Sequence, residues 1–249
     1  MSETIRWRPI AEPGAAAVAG VGGLAAADRL AKRYGLIPPD SSGIHGPGET
    51  LTYACQRLLT RNTRAREFSR SMISKNPFAN AVAPPNDAFK RLAAGEFRDW
   101  RLVVDGTVAH PMSLSLADLK SLGLHSQITE VACEEAWSYI AEWIGTPLSV
   151  VLREAGVLPQ TQYVVYTSIE KDAWESIDMQ DASDPHTLLT MGMNDGDLPV
   201  PFGGPLRLRL PRQLGHKSVK YVNRITATGN IRKFGKGTRG VDPEYGYFW

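Results

Sequence analysis

The stretch "PLRLRLP" at residues 205–211 leaves its backbone little choice. Side chains of a strand point alternately to opposite faces, so Leu206, Leu208 and Leu210 would line one side and Arg207 and Arg209 the other. A helix would scatter the same residues around its circumference. A chain that keeps this strand must lay a core on the leucine face and provide for two guanidinium groups on the other.

The region around it follows the same short rhythm. "WRLVVDG" alternates and ends in a turn-favouring Asp-Gly. "QITEVAC", "QYVVYTSI" and "VKYVNRITATG" read as strands, and "HTLLTMGM" as a strand or a short helix. Two helices stand between them. "SLADLKSLG" has a capping serine at Ser115 and a closing Gly123, and "PLSVVLREAG" ends at Gly156. Strands outnumber helices, which predicts an α+β domain with a mixed β-sheet and short helices over residues 98–249. Neither G-x-G-x-x-G nor G-x-x-x-x-G-K-[ST] occurs, so dinucleotide and P-loop readings lose their usual support.

Upstream, residues 31–97 read as an arm and linker. Proline, glycine and serine crowd residues 36–50, a helical pattern with Cys55 as a small buried or half-buried residue follows, and "NPFANAVAPPN" is irregular. Residues 1–30 form a separate segment. Its uncharged run at 14–27 is too short and too rich in glycine and alanine to span a bilayer of about 30 Å. With Arg6 and Arg8 ahead of it, it resembles the apolar core of an export signal, cleaved near Asp28. The arginines read "RWR", which is not a twin-arginine signal, and the alternative is an N-terminal arm on a cytoplasmic protein.

A net charge of +2 gives no reason to expect nucleic acid as a partner. Two cysteines rule out both a disulfide framework and a cysteine-built zinc site. Cys133 is nonetheless conspicuous. It ends a strand and precedes a loop with Glu134, Glu135 and Trp137, the place where a scaffold presents a reactive group. Core residue, nucleophile with a histidine base, and metal ligand all remain open for it; none of the five histidines falls in a cysteine-hydrolase signature. The second signal is downstream, where Arg207, Arg209, Arg212, His216, Lys217 and Lys220 surround the turn "QLGHKS". Guanidinium forks, a lysine and turn N–H groups suit a phosphate, whereas a charged sheet edge is the plainer reading. One soft thiolate beside a phosphate site suits a metal that arrives inside a phosphorylated cofactor with ligands of its own, as molybdenum does in molybdopterin.

Several blocks then carry a resemblance. "CEEAWSYIAEWIGTPL" is similar to C-x-E-[GA]-W-S…W-x-G-x-P-L, "MNDGDLPVPFGGPLRLRLP" to N-G-x-x-L-P…G-x-P-x-R-L, and "GHKSVKYVNRI" to G-x-K-x-x-K-x-[IV]; "RLVVDGTVAHPMSLSLADLKSL" and "DPEYGYF" also fit. Over residues 68–249 the chain resembles the sulfite-oxidase-fold molybdopterin oxidoreductases, especially the periplasmic methionine sulfoxide reductase catalytic subunits and their bacterial relatives. The resemblance implies that Cys133 is the molybdenum ligand and that Glu135 is a catalytic carboxylate. It implies cofactor contacts from Asn80, Ser168, Arg207, Ser218, Val219 and Lys220. Phe202 departs from the His or Asn of relatives, and Tyr221 replaces a frequent tryptophan.

The implied activity is oxygen-atom transfer at molybdenum, in the direction of reducing a neutral S-oxide or N-oxide. The acidic and aromatic residues after Cys133 would repel anionic sulfite. Sulfite dehydrogenation, or a non-catalytic binding module of the same fold, is the alternative. A chain without C-x-x-C-H or iron–sulfur cysteines needs an electron partner, by resemblance a membrane cytochrome b subunit or a soluble cytochrome. The implied location is the periplasm.

Overall fold

A computed structural model describes residues 63–80, 84, 86–133, 135–231, 233 and 234, together with Cys55, Leu58 and Leu59. The chain divides into two units, Met1–Arg61 and Asn62–Trp249. In the first, Cys55, Leu58 and Leu59 are helical, and all three are exposed. Cys55 is therefore not the buried residue its helical neighbours suggested; the leucines beside it are 66% and 75% exposed and form no core around it. The signal-like run at 14–27 lies outside the described residues.

The second unit is built from two sheets. The first has the order β2-β1-β10-β5-β6, with β1 at Leu102–Gly106, β2 at Met112–Leu114, β5 at Tyr163–Ser168, β6 at Trp174–Asp178 and β10 at Val222–Thr228. β1 and β10 run parallel and their other neighbours antiparallel, so this sheet is mixed. The second has β3 (His125–Ala132), β4 (Ser138–Pro147), β7 (Leu188–Met193) and β8 (Gly196–Asp197) in that order, with β9 (Arg207–Arg209) pairing β7; it is antiparallel throughout.

Among the described residues of this unit, α1 (Asp87–Ala94) precedes the first strand, and α2 (Leu116–Ser121), α3 (Leu148–Glu154) and α4 (Met179–Ala182) connect strands. Their starts are chemically marked. The Asn86 side chain caps α1, and Ser115 and Asp118 form a reciprocal capping box on α2. Hydrogen bonds from Ser115 hold the exposed Asp118 carboxyl below its ordinary value.

The main core draws on both sheets and the helices: Leu102, Val104, Val164, Ile177 and Ile225 from one sheet, Leu189, Met191 and Leu208 from the other, and Leu119, Leu148 and Val151 from helices. Leu206, Leu208 and Leu210 all enter it, as their alternation required. β7 is buried at every position, which settles "HTLLTMGM" as a central strand. β4, whose residues 138–147 carried no assignment from sequence, is the longest strand; it buries alternate residues until both of its faces are covered. A second cluster of Val131, Tyr139, Ala141, Trp143, Met193 and Leu198 covers the other face of the antiparallel sheet, and Trp137 and Phe202 pack on it. Arg207 and Arg209 project onto this side, with their guanidinium carbons 5.5 Å and 5.4 Å from the Trp143 ring centroid.

Candidate active site

β3 delivers Cys133 to the mouth of a cavity of about 290 Å³. A tight turn then reverses the chain into β4. The Cys133 N–H donates to the Trp137 carbonyl at 3.0 Å, and the Ala136 N–H to the Cys133 carbonyl at 3.2 Å. Ala136 adopts φ +65°, a left-handed conformation that non-glycine residues seldom take outside constrained sites. The turn sets Glu135 over the thiol: Cys133 Sγ is 3.8 Å from Glu135 Oε2, which also accepts the Trp137 indole N–H at 2.8 Å. Cys133 is half-buried and Glu135 exposed. Neither Cys55 nor Cys133 is in a disulfide. His216, one of the histidines weighed as a base, lines the same cavity.

The opposite wall comes from β9 and the turn after it. Arg207, Gly215, Ser218, Val219 and Lys220 all line the cavity, and Asn80 closes it from the segment before α1. Gly203, at φ +110°, explains how Arg207 and Lys220 meet. A Cβ on it would lie 3.0 Å from Lys220 Cβ and 3.2 Å from Arg207 Cβ, so the two cationic side chains leave the backbone on either side of a residue with none. Gly215 brings the turn against the thiol, since a Cβ there would stand 3.1 Å from the Ala132 carbonyl oxygen and 3.2 Å from Cys133 Cα.

Neither cation has a carboxylate at ion-pair distance among the described residues. Arg207, 4% exposed, donates through Nε to the Ser218 carbonyl at 3.0 Å and through Nη1 to the Phe202 carbonyl at 3.1 Å. Burial pushes its pKa down. Lys220 Nζ donates to Asn80 Oδ1 and to the Pro201 carbonyl, both at 2.8 Å. Burial, and then the charge of Arg207, bring its amine down to about 8. A further polar group is buried close by. The Tyr221 hydroxyl has no hydrogen-bond partner among the described residues; burial, and then the charge of Glu170, push it up to about 12.

The other residues singled out from sequence fall differently. Ser168 is buried and its hydroxyl accepts the Glu170 N–H at 3.0 Å; it is not among the residues lining the cavity. Arg209 shares a face with Arg207 but turns to the backbone of β3, donating to the Glu130 carbonyl and to Thr129 Oγ1. At 1% exposed it is no charged sheet edge. Phe202 keeps one useful atom, the carbonyl that holds Arg207, while its ring packs edge-on against Tyr139 at 5.8 Å. Glu134 lies outside the described residues. Sequence reasoning passed over Gly203, saw Gly215 only as part of a turn, and met Tyr221 only as a replacement for a frequent tryptophan. The glycines were visible only as letters within blocks, and their role depends on which side chains meet across them. Among the described residues no group of three or more His, Cys, Asp or Glu side chains is arranged to hold a metal ion, so Cys133 stands as a single soft donor.

Comparison with known proteins places this arrangement. Residues 91–233 match the family described as the oxidoreductase molybdopterin binding domain. The chain is 32% identical to YedZ1 of Azospira oryzae, a protein named as a subunit of a protein-methionine-sulfoxide reductase, over 77% of this chain and 69% of that protein. It is 31% identical to the protein-methionine-sulfoxide reductase catalytic subunit MsrP of Pseudomonas syringae pv. tomato, over 61% of this chain and 50% of the relative. The chain thus spans half the length of that subunit. Among solved structures, the sulfane dehydrogenase SoxCD of Paracoccus pantotrophus superposes with a TM-score of 0.51 at 24% identity, covering 53% of this chain and 39% of that one, a likeness of fold. The chain belongs to the oxidoreductase molybdopterin binding domain family, and is a molybdopterin-binding oxidoreductase of the sulfite-oxidase fold.

Proposed function

We propose that this protein binds molybdopterin with molybdenum in the cavity beside Cys133 and reduces neutral S-oxides there. The observation that carries the reading is that buried Arg207 and half-buried Lys220 line one cavity with no carboxylate at ion-pair distance among the described residues. A buried charge is ordinarily paired inside the protein, and one left unpaired favours an anion from outside. The residues present fit a phosphorylated pterin. Arg207 and Lys220 would hold its phosphate, with the Ser218–Lys220 backbone around it. Asn80 would orient it by way of its contact with Lys220. The Tyr221 hydroxyl supplies a buried donor that nothing in the described chain uses. Cys133 would be the protein's thiolate to the metal, and Gly215 lets the turn approach that thiol closely.

When bound, the cofactor supplies two-electron redox chemistry and the capacity to accept an oxygen atom. The net change is balanced: the S=O bond breaks, the sulfoxide takes up two electrons and two protons, and a thioether and water leave. This chain's own contribution is to bind, orient and handle protons. Glu135, 3.8 Å from the thiol and anchored to the Trp137 indole, is the carboxyl positioned to carry a proton to the departing oxygen. Its exposed charge also disfavours sulfite, which is anionic. Ser168 would serve by fixing the turn at Glu170. The electrons would come from a partner, a membrane cytochrome b subunit or a soluble cytochrome, and the location that suits such a partner is the periplasm.

The test combines composition and turnover. Purified protein should carry stoichiometric molybdenum and pterin, and a reduced dye should drive conversion of sulfoxides to thioethers. Cys133→Ser should lose turnover while keeping the pterin through its phosphate contacts. Protein that assembles without molybdenum, or a Cys133→Ser variant as active as the parent, would refute the reading.

A further inference from the structure

Two exposed apolar side chains, Phe78 and Leu214, lie outside the cavity lining but next to residues that belong to it. Phe78 is 54% exposed, and its ring stands edge-on to Trp137 with centroids 5.3 Å apart. Trp137 lines the cavity with Cys133 and is held twice, by stacking on Tyr139 at 5.9 Å with planes 8° apart and by its N–H bond to Glu135. Phe78 therefore extends a fixed aromatic wall outward into solvent. A second exposed apolar side chain is the chain neighbour of a residue packed on the thiol. Leu214, 40% exposed, immediately precedes Gly215, the residue packed on Cys133. A single exposed apolar side chain needs no explanation. Two of them joined to one thiol, through a pinned indole and through a glycine contact, make a patterned rim.

The chemistry of an S-oxide explains such a rim. Its sulfur carries one polar oxygen and two substituents, and an oxygen directed to the centre at Cys133 sends the substituents outward. A thioether sulfur and its alkyl or aryl groups make favourable contacts with aromatic rings. A small S-oxide such as dimethyl sulfoxide has too little substituent to reach such a wall. Sulfite has none.

We infer that Phe78, Trp137 and Leu214 form a specificity rim that selects S-oxides bearing an extended apolar substituent. The inference rests on the S-oxide reading above and adds which residues set the substrate class.

The test compares methyl p-tolyl sulfoxide with dimethyl sulfoxide, using the holoenzyme and a dye donor, in the parent and in the double variant Phe78→Ser/Leu214→Ser. Both positions are exposed, so melting temperatures should stay close to the parent's and report any loss of fold. The ratio of kcat/KM for the bulky over the small sulfoxide should fall about tenfold, equivalent to about 1.4 kcal/mol, with the change carried by KM. A parallel titration with methyl p-tolyl sulfide, followed by Trp fluorescence, reads the same surface without turnover, and its affinity should fall by a similar factor. An unchanged ratio with unchanged sulfide affinity overturns the rim. If the parent reduces neither sulfoxide, the S-oxide reading fails, and the sulfide titration decides the rim by itself: weaker binding in the variant upholds it as an apolar binding surface, and equal binding removes it.

Discussion

Basic side chains between residues 207 and 220 sit in two kinds of surroundings. On one side Lys217, 1% exposed, meets Glu175 at 2.8 Å, and Arg212 meets Asp184 at 2.5 Å with Asp181 at 3.9 Å. On the other, Arg207 and Lys220 meet carbonyl oxygens, an amide and aromatic side chains, with no carboxylate at ion-pair distance among the described residues. Lys217 and Lys220 are three residues apart and chemically identical, yet one is paired with a carboxylate and the other lines the cavity. A buried cation whose counter-charge is built into the protein fixes a turn. A cation solvated by dipoles alone and lining a cavity, as Arg207 and Lys220 do and Arg209 does not, keeps its field for a ligand.

The largest expected effect lies on the paired side. Lys217→Met strands the Glu175 carboxylate in the interior and should cost about 3–5 kcal/mol of unfolding free energy in urea. Lys217→Met/Glu175→Leu, which removes both charges, should regain most of that loss. If the single variant is as stable as the parent, the pair is not the scaffold element this contrast requires.

Next come the two arginines of β9, which sequence alternation makes equivalent and the structure separates. Arg207→Met should weaken pterin retention roughly tenfold to a hundredfold, the loss of a charge-assisted contact worth about 1.5–3 kcal/mol. Arg207→Lys should restore only part of it, because an amine lacks the planar fork. Arg209→Met should act on stability, by about 1–3 kcal/mol for the β3 groups it leaves unbonded, and should leave the pterin content of folded protein close to the parent's. Equal loss of pterin in the two variants would erase the distinction between them.

The smallest effect is a pH dependence. The folded Lys220 amine titrates at about 8, below its ordinary value. In the apoprotein this makes its charged form a cost that is full below pH 8 and is relieved as pH rises towards the unfolded value. Anion binding runs the other way. It is at full strength below pH 8 and weakens above it, by at most about tenfold per pH unit, because binding must then take up a proton. Inorganic pyrophosphate binding to apoprotein, measured by calorimetry from pH 7 to 9.5, should show this fall, and Lys220→Met should flatten it. A flat profile in the parent would return Lys220 to the ordinary paired class.

Several features were legible because their causes are local. The period of "PLRLRLP" put three leucines in the core, Ser115 and Asp118 made their capping box, Gly156 ended α3 one residue beyond its cap, and Cys133 fell directly after β3. The strand at 138–147 went unread because its alternation dissolves where both faces become buried, and a strand covered on both sides keeps no polar rhythm. The helix at Asp87–Ala94 followed proline-rich sequence and was absorbed into a linker, although Asn86 was available to cap it.

By itself the sequence determined the α+β class, the presentation of Cys133 at a strand end, and a concentration of positive charge between Arg207 and Lys220. Only the tertiary structure decided which of those charges meet a carboxylate and which line the cavity. It set Glu175 against Lys217 and the β3 carbonyls against Arg209, and it brought Arg207 and Lys220 together across Gly203. The reason is physical: a residue's type and period are properties of neighbours along the chain, whereas the partner of a buried charge arrives from elsewhere in the sequence, as Glu175 does for Lys217 across 42 residues.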